Sequence, residues 1–262
     1  TVDDVASGRV IVGMGAGGSG FPAMDIERKH PVDAMRDAIA IMRSMWAGKS
    51  TVVNGKVVSL RNGVLGFKSR ANIRVVIATR GPAVFRLAGQ IADGAMIATM
   101  ATPQGVGMAW DFVRQGARQV NRDPEGIEII SRVDTCVDLD RDKARAGVKQ
   151  MIAFLLWSSY PNRDFVTQLN LQIPAKLETM IAKRDYELMF EAGPLVPEDF
   201  VDAFAWAGTP KDVADKITRI AEMGVRRFGV WVLAPPQGGI ESVIQLFSEE
   251  VMPRVRAAAR GA

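Results

Sequence analysis

Two short stretches carry residue types that suit an anion and a flat ring. The first is Gly13-Met14-Gly15-Ala16-Gly17-Gly18, which follows an apolar run. Its G-x-G-x-x-G spacing first suggests a dinucleotide site. Two details oppose that reading. The helix should open within the glycines, yet Pro22 and Pro31 defer it to about Val32. An acidic residue about 20 positions on should end a second strand, whereas Asp33 and Asp37 fall in a helix. Two readings remain: a glycine turn without a ligand, or backbone approaching a flat ring or its phosphate tail, which the missing Cβ of glycine permits.

The second stretch is Ala78-Thr79-Arg80-Gly81, followed by Pro82. An apolar β-branched run ends in a hydroxyl and a guanidinium. Pro82 is suited to the first turn of a helix. Helix starts expose unpaired amides and partial positive charge, so the point suits a phosphate. The plainer reading makes Arg80 a solvated cation and Thr79 a cap.

Other chemistry is sparse. His30 is the single histidine, and a lone loop histidine has a weak claim on substrate contact. Met14, Met100 and Trp231 fall at or near strand ends, where they line an apolar ring pocket or simply fill core. Arg132 falls in a strand, where a charge must be paired or face a cavity. Asp134 is placed to pair with a neighbour across the strand face. Cys136 is the single cysteine, which excludes an intrachain disulfide and a cysteine metal cluster. No metal site is expected. No carboxylate pair is spaced for acid–base work, and catalytic residues are not identified. The net charge of +4 is interleaved, without a basic run, so no nucleic-acid partner is expected. No apolar stretch reaches the roughly 18 residues of a membrane span. With no signal peptide, a reducing cytoplasm is the expected compartment.

Elements must position these residues. Arg9–Gly13, Ile73–Ala78, Ala95–Ala98, Ile127–Val137 and Phe228–Leu233 read as strands. Amphipathic helices alternate with them: about Val32 to Trp46, a helix from Pro82, Thr102 to about Val120, one to about Trp157, one from Pro210, and about Ile240 to Arg256. Such alternation predicts a parallel sheet with helices outside. Five strands suit an open doubly wound sheet, or most of an eight-stranded barrel with its front missing. Asn54-Gly55 between β-branched runs predicts a hairpin, strands Thr51–Val53 and Lys56–Leu60. The proline-broken stretch of about 158–206 reads as a helical insertion within a single domain, 1–262.

The stretches GRVIVGMGAGG, IMRSMWAGKSTVVNGKVVSL, IATRGPAVFRLAGQIADGAMI and GTPKDVADKITRIAEMGVRRFGVWV resemble the bacterial-luciferase-like flavin and deazaflavin oxidoreductases. Within them the chain is most similar to the F420-dependent branch that includes methylenetetrahydromethanopterin reductase. The resemblance implies an α/β TIM-type (β/α)₈ barrel, with Thr1 falling late in the third helix, so that the first three βα units are missing and are needed to complete the fold. It implies coenzyme F420 as cofactor, with FMN as the alternative. Gly13, Met14, Gly15 and Ala16 would lie near the cofactor, and Ala78, Thr79, Arg80 and Gly81 would hold its phosphate. His30, Met100 and Trp231 are the weaker substrate candidates. The implied activity is hydride transfer between the deazaflavin and a small organic substrate, in a homodimer. Two other readings stand beside it: an FMN-dependent monooxygenase, and a non-catalytic truncated barrel without cofactor.

Overall fold

A computed structural model describes residues 1–18, 21, 24–27 and 29–261 of the chain, with side chains through residue 259. Pro22, one of the two prolines expected to delay the first long helix, lies outside the described residues. The chain forms two compact units, Thr1–Met96 with Trp110–Glu128, and Ile97–Ala109 with Ile129–Ala262.

The first unit opens with a helical turn, α1 (Val2–Val5), and a strand, β1 (Ile11–Gly15). After α2 (Pro31–Trp46) and a hairpin come β4 (Arg74–Thr79) and α3 (Pro82–Ile91). Strand β5 (Gly94–Ala98) and helix α4 (Pro103–Gln119) follow in the chain, their residues divided between the two units. β1 and β4 pair in parallel, from Ile11 opposite Arg74 to Gly15 opposite Ala78. Val75, Val76 and Ile77 of β4 are buried, as expected of a parallel strand covered on both faces. Val84, Phe85, Leu87 and Ala88 of α3 supply one of the covering layers. Asp93 ties the unit together. Its carboxylate accepts from the Val75 amide at 2.8 Å and from Arg43 at 3.0 Å. The alternation of strand and helix read from the sequence is thus present, but β1 begins and ends two residues later than expected. Gly15 therefore belongs to the strand with Gly13, not to the loop after it.

The hairpin also differs from expectation. Its strands are β2 (Thr51–Val53) and β3 (Leu60–Gly63), and Asn54-Gly55 opens a longer loop instead of a two-residue turn. The reason is Asp37 on α2, a buried carboxylate. It accepts from the amides of Val57 and Val58 at 2.8 and 3.1 Å. The Val57 amide above all holds this carboxyl below the usual carboxylate range, against the upward push of burial. Gly55 leaves the space: a Cβ there would stand 2.1 Å from the Val58 carbonyl oxygen and 2.3 Å from Asp37 Cγ. Asp37→Ala leaves two amides unsatisfied and is expected to cost about 2–3 kcal/mol, read as a lower urea midpoint. Asp37→Asn, which keeps one acceptor oxygen, should cost less.

The second unit is built on β6 (Glu128–Val137), which enters it at Ile129. Two parallel strands pair with β6: β7 (Ala205–Gly208), from Asp134 opposite Ala205, and β8 (Arg227–Val232), from Ile130 opposite Arg227. Between β6 and β7 the chain runs through α5 (Arg141–Ser159), α6 (Asp164–Thr167), α7 (Ala175–Ala182), α8 (Leu188–Glu191) and α9 (Glu198–Phe204). β7 was not expected, because AWAG lies at the edge of the proline-broken stretch and is too short to show a period. Helix α10 (Pro210–Glu222) starts as expected, with Thr209 and Asp212 forming a reciprocal cap. Arg141 beside Asp212 holds its carboxyl down at about 2. The C-terminal segment is α11 (Ile240–Leu246), a π-helical turn, and α12 (Met252–Gly261).

Candidate functional site

The parallel pairing brings the two sequence stretches side by side. Gly15 stands opposite Ala78, so Ala16 and Thr79 leave neighbouring strand ends. Gly13 and Gly15 are exposed on β1. A Cβ at Gly13 would meet nothing within 4 Å, and one at Gly15 would reach the Ala78 carbonyl oxygen at 3.5 Å. The strand surface there is bare backbone, open to a flat group. Past it, Gly17 adopts φ +66°, with the Phe21 ring where a side chain would be.

The start of α3 completes this region. Thr79 Oγ1 accepts from the Gly81 amide at 3.0 Å, so the hydroxyl stiffens the turn. Gly81 is the N-cap and Pro82 the first helical residue. Gly81 has no side chain to cap α3, and Pro82 has no N–H. The first-turn amides of Ala83 and Val84 therefore have no side-chain cap, the arrangement that accepts an anion. Arg80 beside them is partly exposed.

The second unit places a different group of residues together. Arg132 Nη1 lies 2.9 Å from Asp134 Oδ1, and its guanidinium carbon is 4.9 Å from the centre of the Trp231 ring. Thr99, at the end of β5, is buried and has φ +64°, a strained geometry for a β-branched residue. Its amide donates to the Arg132 carbonyl oxygen at 2.7 Å. Nothing in the sequence marked Thr99, because backbone conformation at a non-glycine residue has no compositional signal. Met100 is fully buried, and a Cβ at Gly105 would reach its Cβ at 3.2 Å. His30 is exposed at the N-cap of α2, with left-handed backbone and no capping bond from its side chain. Cys136 is buried, and burial pushes its thiol up to about 12, so it is unreactive near neutrality.

The chemistry available is binding and orientation. Among the described residues, no group of three His, Cys, Asp or Glu side chains is arranged to hold a metal. Among the described residues, too, no helix is long and apolar enough to cross a membrane. A hollow of about 670 Å³ lined by Arg43, Arg74 and Asp93 lies at the far end of β4 from Thr79.

The sequence profile of the luciferase-like monooxygenases matches residues 1–227. The 5,10-methylenetetrahydromethanopterin reductase of Archaeoglobus fulgidus is 26% identical over 266 residues, covering 98% of this chain and 76% of that protein. The F420-dependent glucose-6-phosphate dehydrogenase of Beutenbergia cavernae is 23% identical, over 99% of this chain and 73% of its own. Among solved structures, the coenzyme F420 dependent tetrahydromethanopterin reductase of Methanopyrus kandleri superposes with a TM-score of 0.78 at 25% identity, covering 96% of this chain and 76% of that one.

Proposed function

Since the chain belongs to the luciferase-like monooxygenase family, we propose that it is an F420-dependent oxidoreductase acting on a small organic substrate. The observation that carries the reading is the pairing of β1 with β4, which sets a bare glycine strand beside the uncapped start of α3. Relatives that use F420 or reduce a pterin-type substrate by name support it. The parallel βα units are read as units of a (β/α)₈ barrel.

Thr79, Arg80, Gly81 and the first amides of α3 would hold the cofactor phosphate. Gly13, Met14, Gly15 and Ala16 would lie against the ring, because side chains at the two glycines would occupy that surface. When bound, the deazaflavin supplies the hydride chemistry. The chain's own contribution is to fix the anionic tail, offer a flat backbone surface and orient the substrate. That division fits a site without a nucleophile–base pair. The family's monooxygenase description favours a second reading, an FMN-dependent monooxygenase, whose phosphate would use the same amides.

Titration with F420 and with FMN, followed by absorbance, separates the two. F420 is expected to bind and FMN to bind more weakly. Arg80→Ala is expected to weaken F420 about 10- to 150-fold, the range for hydrogen bonds to a charged group. Binding of neither cofactor sinks both readings. Unchanged affinity in Arg80→Ala returns Arg80 to a surface cation.

A further inference from the structure

Arg132, Asp134, Gly229 and Trp231 form a constructed group that the cofactor reading does not use. They sit on two paired strands, with Arg132 opposite Gly229 and Asp134 opposite Trp231. Partners in a parallel register share a face, so all four residues lie on one face of β6 and β8. Each has an identifiable part. Asp134 is buried, 3% exposed, and fixes Arg132 Nη1 at 2.9 Å. Gly229 makes room for the arginine stem: a Cβ there would stand 3.1 Å from Arg132 Cγ and 3.2 Å from its Cβ. The stem therefore crosses β8, and the guanidinium lies over the Trp231 ring at 4.9 Å. Backbone support comes from Thr99, whose strained residue donates to the Arg132 carbonyl oxygen.

Trp231 is 53% exposed. The Arg132 side chain is 25% exposed and makes one ion pair among the described residues. A guanidinium has five N–H donors in a flat fork, and one carboxylate contact at Nη1 does not exhaust them. Asp134 pairs with the fork, and the Trp231 ring lies beside it. A fork presented in this way suits a carboxylate or phosphate oxygen pair, while the exposed ring suits an apolar or planar body.

We propose that Arg132 receives the anionic group of a small ligand, a carboxylate or a phosphate, whose apolar body rests on Trp231. Asp134 is a positioning residue, acting through Arg132.

The test uses benzoate and phenyl phosphate as probes, with the neutral isostere benzamide as control. The whole chain is titrated by calorimetry in the absence of cofactor. At least one acid is expected to bind about tenfold or more tighter than benzamide, the discrimination that one charge-assisted contact supplies. Arg132→Gln should reduce both acids to the benzamide level while F420 affinity stays unchanged. Trp231→Leu, a change at an exposed residue, should weaken acid and amide together, and it decides the matter if Arg132→Gln does not fold. Equal binding of acid and amide by the native chain overturns the proposal. So does acid binding that survives Arg132→Gln, or that is indifferent to Trp231→Leu. Because the probes are read without cofactor, acid selectivity in a chain that binds neither F420 nor FMN removes the oxidoreductase reading and leaves this site standing. F420 binding without acid selectivity does the reverse.

Discussion

Gly116→Ala is expected to destabilise the chain by about 2–3 kcal/mol and to weaken F420 binding with it. Helix propensity argues the other way, since alanine in place of a mid-helix glycine normally gains about 1 kcal/mol. Geometry decides the sign. Gly116 on α4 faces α3, and a Cβ there would stand 1.9 Å from the Arg86 carbonyl oxygen. The contact is reciprocal, because a Cβ at Gly89 on α3 would stand 2.0 Å from the Val113 carbonyl oxygen. Both obstacles are backbone, which cannot turn aside as a flexible side chain can. The two helices are further joined by Gln90 to Gln119 at 2.7 Å and Arg86 to Gln115 at 3.1 Å. A methyl group at position 116 must therefore push α3 off α4. The start of α3 is the candidate phosphate site, so stability and affinity should fall together. Gly107→Ala on the same helix is the control. Its Cβ would meet only Met223 Cε, at 3.5 Å, so propensity should prevail there and the urea midpoint should hold or rise. A Gly116→Ala midpoint at or above that of the native chain would mean that the α3–α4 seam is looser than described.

The architecture was legible where the signal was periodic. Val84, Leu87 and Ala88 recur at helical spacing and are the buried face of α3. The β-branched run before Thr79 is a buried parallel strand. What escaped the sequence was decided by contacts between distant residues. Asn54-Gly55 carries a strong local turn signal, yet Asp37, far away in the chain, captures the Val57 and Val58 amides and lengthens the loop. Gly15 reads as a loop residue because glycine is weak in strands. Pairing with β4 overrides that weakness.

The site divides in the same way. Residues close in sequence, such as Thr79 and Gly81, mark a helix start by their types alone. Arg132 and Trp231 stand out singly by residue type, but their contact depends on a register that no single sequence states. Gly229 carries no sequence signal, since what it does is leave room for a side chain on the neighbouring strand.

Trp206→Ala is expected to cost about 3–5 kcal/mol, the range for removing a buried large aromatic side chain. Trp206 is fully buried, and it sits on β7, the strand hidden at the edge of the proline-broken stretch. Its ring lies 6.0 Å from that of Phe228 on β8, and its indole N–H donates to the Ala101 carbonyl oxygen at 3.3 Å. The Ala101 amide in turn donates to Ala203 at 2.9 Å. The side chain thus anchors a four-residue strand whose own ladder is too short to persist alone. Against a typical total of about 5–15 kcal/mol, the loss should appear as a large fall in urea midpoint. Trp206→Phe separates the two contributions. It keeps a ring beside Phe228 and loses the hydrogen bond, at about 1 kcal/mol. Trp231→Leu supplies the contrast, because a half-exposed ring should change stability by less than about 1 kcal/mol. A large stability loss at Trp231 and a small one at Trp206 would reverse the division argued here, in which Trp206 holds the sheet and Trp231 does not.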